Sequence, residues 1–376
     1  MKIVHTADWH IGKNLNDYSL LEDQKYYFEK FVKKLEEIKP DALIIAGDLY
    51  DRSIPSSEAI NLLGGILFEI VQKNKIETFI IAGNHDSKER LSFGSELLKK
   101  SGLHIVGNIT NEIKKIAFQG VNFHLIPYIE PHNIKQLYPQ ETIKTHDQAM
   151  KLYTQDMLKN LDTTAINILV GHGLYGGGVN SDVSVGGSEM IDASIFNEFD
   201  YVALGHLHSH RTAGSEKMVF AGSPLKYSID EATQNKSFTL INIVDKGTIK
   251  TSQVSIEPLR DVRIIEGSFD YLNNRDHFEN LNDYVFMNIT DDTIVLNAIS
   301  RLKAVFPNII GLKYVNFNTA VSDGFIREKS QVAKLSELGL FESFYLDVTN
   351  QELDEKSKKY IQSTIRAVKG ENDDTD

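Results

Sequence analysis

The sequence predicts an α/β layered domain, then a small α+β module, then a helical C-terminal segment. Two observations carry this reading. In the first 210 residues, short apolar runs rich in Ile, Val and Leu alternate with longer amphipathic stretches, the order of strand–helix–strand units. Beyond residue 258 the pattern changes to a few strands around one helix, and after about 320 it turns mostly helical. The length of 376 residues agrees, since about 150 residues per domain makes two or three domains.

Each element has its own signal. The runs at 2–7, 42–47, 78–83, 166–171 and 201–205 are apolar on both faces, as strands covered on both sides must be. Between the first two, residues 20–38 place Tyr27, Phe28, Phe31, Val32, Leu35 and Ile38 at helical spacing, and Pro40 stands just past the end. Residues 55–73 form a second helix, with Pro55 at its first position and Ile60, Leu63, Leu67, Ile70 and Val71 in one stripe. Runs at 219–222, 237–243 and 248–256 read as strands that complete the first domain, with Asp245-Lys246-Gly247 as a hairpin turn. The boundaries are therefore 1–258 for the first domain and 259–320 for the module, which holds strands at 262–267, 284–289 and 309–317 and a helix at 293–305. Residues 321–370 are helical; the last helix, 351–368, carries Leu353, Tyr360, Ile361, Ile365 and Val368 on one side. The acidic end, 371–376, reads as disordered.

Composition excludes several classes. With 41% apolar and 24% charged residues the chain is an ordinary globular one, and no apolar run approaches the roughly 18–20 residues a bilayer demands. The start, Met1-Lys2-Ile3-Val4-His5, runs directly into an acidic motif and does not read as a signal peptide. There is no cysteine, which removes disulfides, thiolate zinc sites, iron–sulfur clusters and cysteine nucleophiles and is compatible with the cytoplasm. The formal charge of −12 is spread along the chain, so nucleic acid is not attracted by the molecule as a whole. Local patches or metal ions would have to supply positive charge.

The chemistry lies just past the strand ends. After the first strand comes Asp8-Trp9-His10; after the second, Gly47-Asp48, with Asp51 three residues on. After the third comes Gly83-Asn84-His85-Asp86; after the fourth, Gly171-His172; after the fifth, Gly205-His206-Leu207-His208. Sites in α/β sheets form at the carboxyl ends of strands, so these groups converge on one crevice. A single Asp after a strand is ordinarily a turn or cap residue, and a single His-x-His is ordinarily surface. Here five of the twelve histidines fall in such motifs, and every motif ends a strand, which makes coincidence a poor account. His5, His104, His124 and His210 belong to the remainder, as core, surface or supporting residues. A mixed nitrogen and oxygen set without thiolate suits Mn²⁺, Fe²⁺ or Zn²⁺ and fits Ca²⁺ or Mg²⁺ poorly. Seven donors exceed one tetrahedral ion and match two ions about 3.5–4 Å apart that share a carboxylate.

The order Asp-x-His, Gly-Asp, Gly-Asn-His-Asp, Gly-His, Gly-His-x-His resembles the calcineurin-like metallophosphoesterase superfamily. Longer matches are tighter: His-Thr-Ala-Asp-Trp-His-Ile-Gly-Lys at 5–13, Ala-Gly-Asp-Leu-Tyr-Asp-Arg at 46–52, Ala-Gly-Asn-His-Asp-Ser at 82–87, Tyr-Val-Ala-Leu-Gly-His-Leu-His at 201–208, Gly-Ser-Pro at 222–224 and Pro-Leu-Arg-Asp-Val-Arg at 258–263. These resemble the bacterial SbcD nucleases, partners of the SbcC ATPase; the match is dense over the first domain and thins after about 320.

The resemblance implies a layered β-sandwich flanked by helices. It places one metal on Asp8, His10, Asp48 and His208, the other on Asp48, Asn84, His172 and His206, with Asp48 as the bridge. It makes His85 the catalytic residue that faces the phosphate and protonates the leaving oxygen, with Asp86 orienting it by accepting its other ring proton. Archaeal relatives carry a histidine where this chain has Asp51, so the role of Asp51 is left open. The resemblance further implies Mn²⁺, DNA as substrate, 3′–5′ double-strand exonuclease and single-strand or hairpin endonuclease activity, and service in repair, recombination and replication. The module at 259–320 becomes a DNA cap, and the last helices a docking segment for the SbcC-type ATPase. The two amphipathic helices between Pro55 and Lys100 become a contact with a second copy, making a homodimer within a heterotetramer. ATP use falls to the partner, because no Gly-x-x-x-x-Gly-Lys-[Ser/Thr] loop is present.

Weaker signals surround the site. The glycine-rich stretch 174–189 either contacts the DNA backbone or is a loop without a direct role. Lys13, Arg52, Lys88 and Arg90 flank the motifs and either grip phosphates or are solvated charges. The same metal site would serve a phosphoesterase of small substrates, and a non-catalytic scaffold is the third reading; the complete donor set argues against the last.

Overall fold

The structure, a computed structural model of the chain, describes residues 1–176, 189–316, 336–349 and 352–369. It divides into two compact units. The first comprises Met1–Ile265, Asn274–Met287 and Ile299–Gly311; the second, Glu266–Asn273, Asn288–Ala298 and Leu312–Asp376.

The first unit contains two six-stranded sheets. Naming its strands in chain order gives β1 (Lys2–Thr6), β2 (Ala42–Ala46), β3 (Glu77–Ile81), β4 (Leu103–Val106), β5 (Lys114–Phe118), β6 (Val121–Ile126), β7 (Ile166–His172), β8 (Tyr201–Gly205), β9 (Arg211–Thr212), β10 (Met218–Phe220), β11 (Phe238–Asp245) and β12 (Thr248–Val254). One sheet runs β12-β11-β1-β2-β3-β4 and the other β9-β10-β8-β7-β6-β5. Strands β1 to β4 are parallel to one another, as are β6, β7, β8 and β10. Antiparallel strands finish each sheet: β11 and β12 on the first, β5 and β9 on the second.

Alternation along the strands decides what each face meets. Ile3, Ile44, Phe79, Phe123, Ile168, Tyr201 and Ile241 pack between the sheets, with Phe79 and Phe123 stacked 4.1 Å apart. The opposite faces are covered by helices: Val4, Leu43, Ile45 and Ile80 meet Phe28, Phe31 and Leu35, while Leu169, Val202 and Leu204 meet Met150, Phe196 and Phe199. Strands buried on both faces explain the continuous apolar runs.

The helices fit their signals, with corrections at the ends. Helix α1 (Leu21–Ile38) stops where Lys39 turns left-handed, its N–H bonded to Leu35 O, one residue before Pro40. Helix α2 (Ser57–Leu67) begins later than Pro55 suggests, because Ser56 is the cap and accepts the Ala59 N–H. Beyond Leu67 the same stretch widens into a π-turn over Phe68–Lys73. The helix expected over 293–305 is only Ala298–Leu302, since Asn297 lies at φ 57° and a right-handed helix cannot run through it. Strands β5 and β6 lack a long apolar run; their signal is the hairpin turn at Gln119-Gly120, both with positive φ.

Past the sandwich, Val262–Gly267, Tyr284–Ile289 and Ile309–Tyr314 hydrogen-bond in that order. The Pro258–Arg263 stretch is anchored by charge. Arg260 holds Asp23 through two bonds of 2.9 and 2.8 Å, Asp261 pairs with Lys226 at 2.9 Å, and Arg263 with Asp283 at 2.8 Å. In the second unit, helices Glu337–Thr349 and Glu355–Lys369 are linked by Lys358 and Glu342 at 3.1 Å. The acidic tail and most of the stretch 174–189, including Gly177, Gly178, Gly186 and Gly187, lie outside the described residues. Among the described residues no helix is long and apolar enough to cross a membrane.

His5 lies wholly buried, its Nδ1 3.1 Å from the Tyr201 hydroxyl. Burial first, and His210 second, push its pKa down to about 3. The unfolded chain therefore binds a proton that the folded chain refuses between about pH 6.5 and 3, so the stabilisation is complete above about 6.5 and is lost as pH falls toward 3. In chelator-treated protein, the unfolding free energy of the wild type should fall more steeply on acidification from pH 6.5 than that of His5→Gln, by up to about 1.4 kcal/mol per pH unit. Parallel curves would contradict this account of His5.

Candidate metal centre

The motif strands divide between the sheets: β1, β2 and β3 in one, β7 and β8 in the other. The single crevice is built where the carboxyl ends of both sheets meet. Close approach is enforced by glycine. A Cβ on Gly83 would lie 2.1 Å from Asp48 Oδ1, and one on Gly205 would lie 2.0 Å from Ala46 O on the facing sheet. The turns beyond these strands are strained. Asp8, His10, Asp48 and His206 have φ of 54°, 44°, 53° and 109°, a region that costs a side-chain-bearing residue about 1–3 kcal/mol.

All seven expected donors come together. Asp8, His10 and His208 offer atoms within 4.8 Å of one another, and so do Asp8, Asp48 and His172. Asp48 Oδ2 is 3.6 Å from His10 Nε2 and 3.4 Å from His172 Nε2, the position of a shared carboxylate. Asn84 Oδ1 is 3.0 Å from His172 Nε2 and 3.1 Å from His206 Nδ1. The Nε2 atoms of His10 and His208 face each other at 3.1 Å.

The chemistry of this set fits divalent ions. His172 Nδ1–H donates to Ala46 O at 2.7 Å, and His208 Nδ1 lies 3.0 Å from Glu231 Oε1, which turns each Nε2 inward toward Asp48 or His10. Burial drives His10 down to about 3 and His206 to about 4, so both rings are neutral donors. Burial also lifts Asp8 to about 7; His172 opposes this and the neighbouring Asp48 adds to it. For Asp48 burial acts the same way, but His172 outweighs it and holds the carboxyl well below the usual range. His172 is correspondingly raised to about 9 against its own burial by Asp48. Without an ion, the proton that Asp48 holds on His172 offsets part of the charge of the two buried carboxylates, and a divalent ion would take that proton's place.

One expected contact is corrected. His85 Nδ1 meets the backbone oxygen of Asp51 at 2.9 Å, where the resemblance implied Asp86. Asp86 instead accepts the N–H groups of Gly83 (3.0 Å), Leu49 (3.2 Å) and Tyr50 (3.1 Å). It ties the loop after β3 to the loop after β2, and so seats Asp48 and His85, whose N–H bonds Asp48 Oδ1 at 2.8 Å. Burial, with Asp48 nearby, raises Asp86 to about 6. Asp51 has a definite place: its side chain bonds Lys13 at 2.8 Å and lies 3.6 Å from His10 Nδ1, a buried nitrogen with no hydrogen-bond partner. It also shares a grouping with His10 and His85 that could hold a metal. The ammonium of Lys13 bonds Asp51 Oδ1.

Two residues escaped sequence reasoning. Gln24 on α1 donates to His10 O at 2.8 Å and accepts Gly12 N–H at 2.9 Å, and Tyr227 donates to Trp9 O. Both fix the Asp8–His10 turn, and nothing in their local sequence announces it.

Known proteins resemble this chain. The model of the calcineurin-like phosphoesterases matches residues 1–210, and that of the type 5 capsule protein repressor C-terminal domain matches residues 258–349. The D subunit of the nuclease SbcCD from Staphylococcus epidermidis is 35% identical over 373 residues, covering 98% of this chain and 99% of the relative. Among solved structures, a Thermus thermophilus protein is 16% identical over 67% of this chain and 98% of its own, with a TM-score of 0.41. A dimetal phosphatase from Danio rerio is 12% identical over 69% and 98%, with a TM-score of 0.43. Those two likenesses are too distant to add to the assignment. The chain belongs to the calcineurin-like phosphoesterases and, within them, to the family of the SbcD nucleases.

Proposed function

We propose that this chain is the manganese-dependent nuclease subunit of an SbcCD-type complex, hydrolysing DNA phosphodiesters as a 3′–5′ double-strand exonuclease and a single-strand and hairpin endonuclease in DNA repair, recombination and replication. The observation that carries it is the convergence of Asp8, His10, Asp48, Asn84, His172, His206 and His208 at the tips of five strands. The likeness to an SbcD nuclease along 98% of the chain directs the reading to DNA.

Asp8, His10, Asp48 and His208 would hold one ion, and Asp48, Asn84, His172 and His206 the other. Two divalent ions there supply hydroxide near neutral pH and offset the charge of the phosphodiester. Hydrolysis with the 3′ oxygen as leaving group would leave a 5′ phosphate. The departing oxygen needs a proton. His85 has its Nδ1 engaged by the Asp51 carbonyl, which leaves Nε2 as the atom that can carry that proton. Asp86 acts on the loop that carries His85 and makes no contact with its ring nitrogen. Lys13, Lys88 and Arg90 are bonded to Asp51, Asn133 and Ser53 O; Arg52, 74% exposed and 3.8 Å from Asp51, is the most loosely held of the four and so the one suited to meet a DNA phosphate.

Two surfaces support partners. Ile54, Phe93 and Leu97 are 71%, 87% and 82% exposed around α2 and the short helices after it, an apolar patch suited to a second copy of the chain. Leu340, Leu346 and Tyr360 expose apolar surface on the C-terminal helices, suited to an SbcC-type ATPase. The module at 259–320 is proposed as the DNA cap, and the complex as a cytoplasmic heterotetramer built on the homodimer.

With Mn²⁺, purified chain should cut hairpin and linear duplex DNA, and chelation should abolish cutting. His85→Ala should still bind Mn²⁺ and DNA but lose about 10²–10⁴-fold in rate; a normal rate would mean the role is misassigned. Sedimentation at micromolar concentration should show a dimer that Phe93→Glu with Leu97→Glu converts to a monomer, and a monomeric wild type would remove the dimer from the proposal. Deleting the residues after Ser343 should end co-purification with the ATPase partner while ATP-independent cleavage persists; retained co-purification would place docking elsewhere.

A further inference from the structure

Resting on the two-ion reading, we propose that Glu231 is the positioning residue of His208. It accepts a hydrogen bond from Nδ1–H, and so presents Nε2 bare to the ion shared with Asp8 and His10.

Glu231 is 5% exposed and has no place in the phosphoesterase motifs. Its Oε1 lies 3.0 Å from His208 Nδ1 and accepts Ser228 Oγ at 3.3 Å. Its Oε2 accepts Lys236 Nζ at 2.5 Å. Lys236 also donates to His208 O at 2.7 Å, so the buried pair grips this histidine at ring and backbone together. The Gly222-Ser223-Pro224 turn completes the brace. Ser223 N–H bonds His208 O at 3.0 Å, and Ser223 Oγ meets Lys236 Nζ at 2.9 Å. Gly222, at φ 80°, passes so close that a Cβ there would lie 3.0 Å from His208 O. A turn singled out in sequence for its resemblance alone thus acquires a physical task.

The reason for a carboxylate lies in the ring. A neutral imidazole has one proton, and whichever nitrogen gives it up to an acceptor leaves the other as a donor to metal. His172 achieves this with the carbonyl of Ala46. His208 has an anionic acceptor, which makes a stronger hydrogen bond with Nδ1–H and fixes the tautomer more firmly. The His208 Nε2 faces the His10 Nε2 at 3.1 Å, close enough for both to reach one ion once His10 carries its proton on Nδ1. The two halves of the centre therefore differ, and only the Asp8–His10–His208 half depends on Glu231.

The test titrates Mn²⁺ into metal-free full-length chain by calorimetry and electron paramagnetic resonance, with nitrogen-15 histidine spectra reporting the His208 tautomer. The paired variant Glu231→Met with Lys236→Met removes both charges and buries neither alone, so it should fold. It should bind one ion as the wild type does and the other about 10–100-fold more weakly, and His208 should lose its fixed Nδ1–H tautomer. Glu231→Gln, which keeps a neutral acceptor, should retain the tautomer and show a smaller loss; it carries the test if the paired variant does not fold. Unchanged affinity for both ions in either variant, or an unchanged tautomer in the paired one, overturns the proposal. A wild-type chain that takes up no Mn²⁺ overturns the two-ion reading instead.

Discussion

The Asp48 carboxylate is the point on which the rest of the molecule bears. It is almost wholly buried, lies between His10 and His172, accepts the His85 N–H, and stands on a residue whose backbone is left-handed. His172 and the His85 N–H favour the ionised carboxylate, but its burial and its backbone do not. A buried carboxylate loses hydration worth several kcal/mol, and a left-handed aspartate adds backbone strain. The arrangement persists because β2, which delivers it, is the central strand of a parallel set hydrogen-bonded on both sides and packed on both faces. The sandwich core is what makes an unfavourable site stable.

That view also explains why two sheets are used. The parallel strands of one sheet all end on the same edge, so neighbouring tips can offer ligands to an ion lying above them. A single sheet, however, spaces its tips about 4.8 Å apart in a row and cannot surround anything. Facing a second sheet across the core closes the ring. His172 and His206 arrive from the opposite side and reach Asn84 and Asp48, and His172 bonds the backbone of β2 directly. The missing side chain of Gly205 is what permits contact with Ala46 O, so glycine at a strand end here is a condition of sheet-to-sheet approach.

The range of each interaction decides how far it was legible in sequence. Each donor sits within four residues of a strand end, and strand and donor are both local patterns, so the cluster was readable from residues, while the resemblance separated the seven donors from Asp51, His85 and Asp86. The helical stripes of α1 and α2 were readable for the same reason, although the caps at Lys39 and Ser56 were not. Non-local contacts escaped. Asp86 lies beside His85 in sequence, yet its oxygens are taken by Gly83, Leu49 and Tyr50, two of them in the loop of another strand. Glu231 is 23 residues from His208 in an ordinary turn. Strand β5, with Lys114 and Lys115 exposed at an edge, has too little apolar character to announce itself.

The charge of the chain poses the remaining question: how a protein of net −12 handles a polyanion. Long-range steering is not available, since exposed charges are screened within about 10 Å at 0.1 M salt. Attraction must then be local, and among the described residues the basic groups that flank the motifs are mostly committed: Lys13 to Asp51, Lys88 to Asn133, Arg90 to Ser53 O. Their engagement serves positioning, because they stiffen the loops after β2 and β3 that carry Asp48, Asn84 and His85. Two divalent ions would bring four positive charges against the two carboxylates of Asp8 and Asp48, reversing the sign of the crevice where the phosphodiester must lie. On this reading the acidic surface is a selectivity device. It leaves the metal centre as the strongest attraction a nucleic acid meets, so binding and cleavage are drawn to one place.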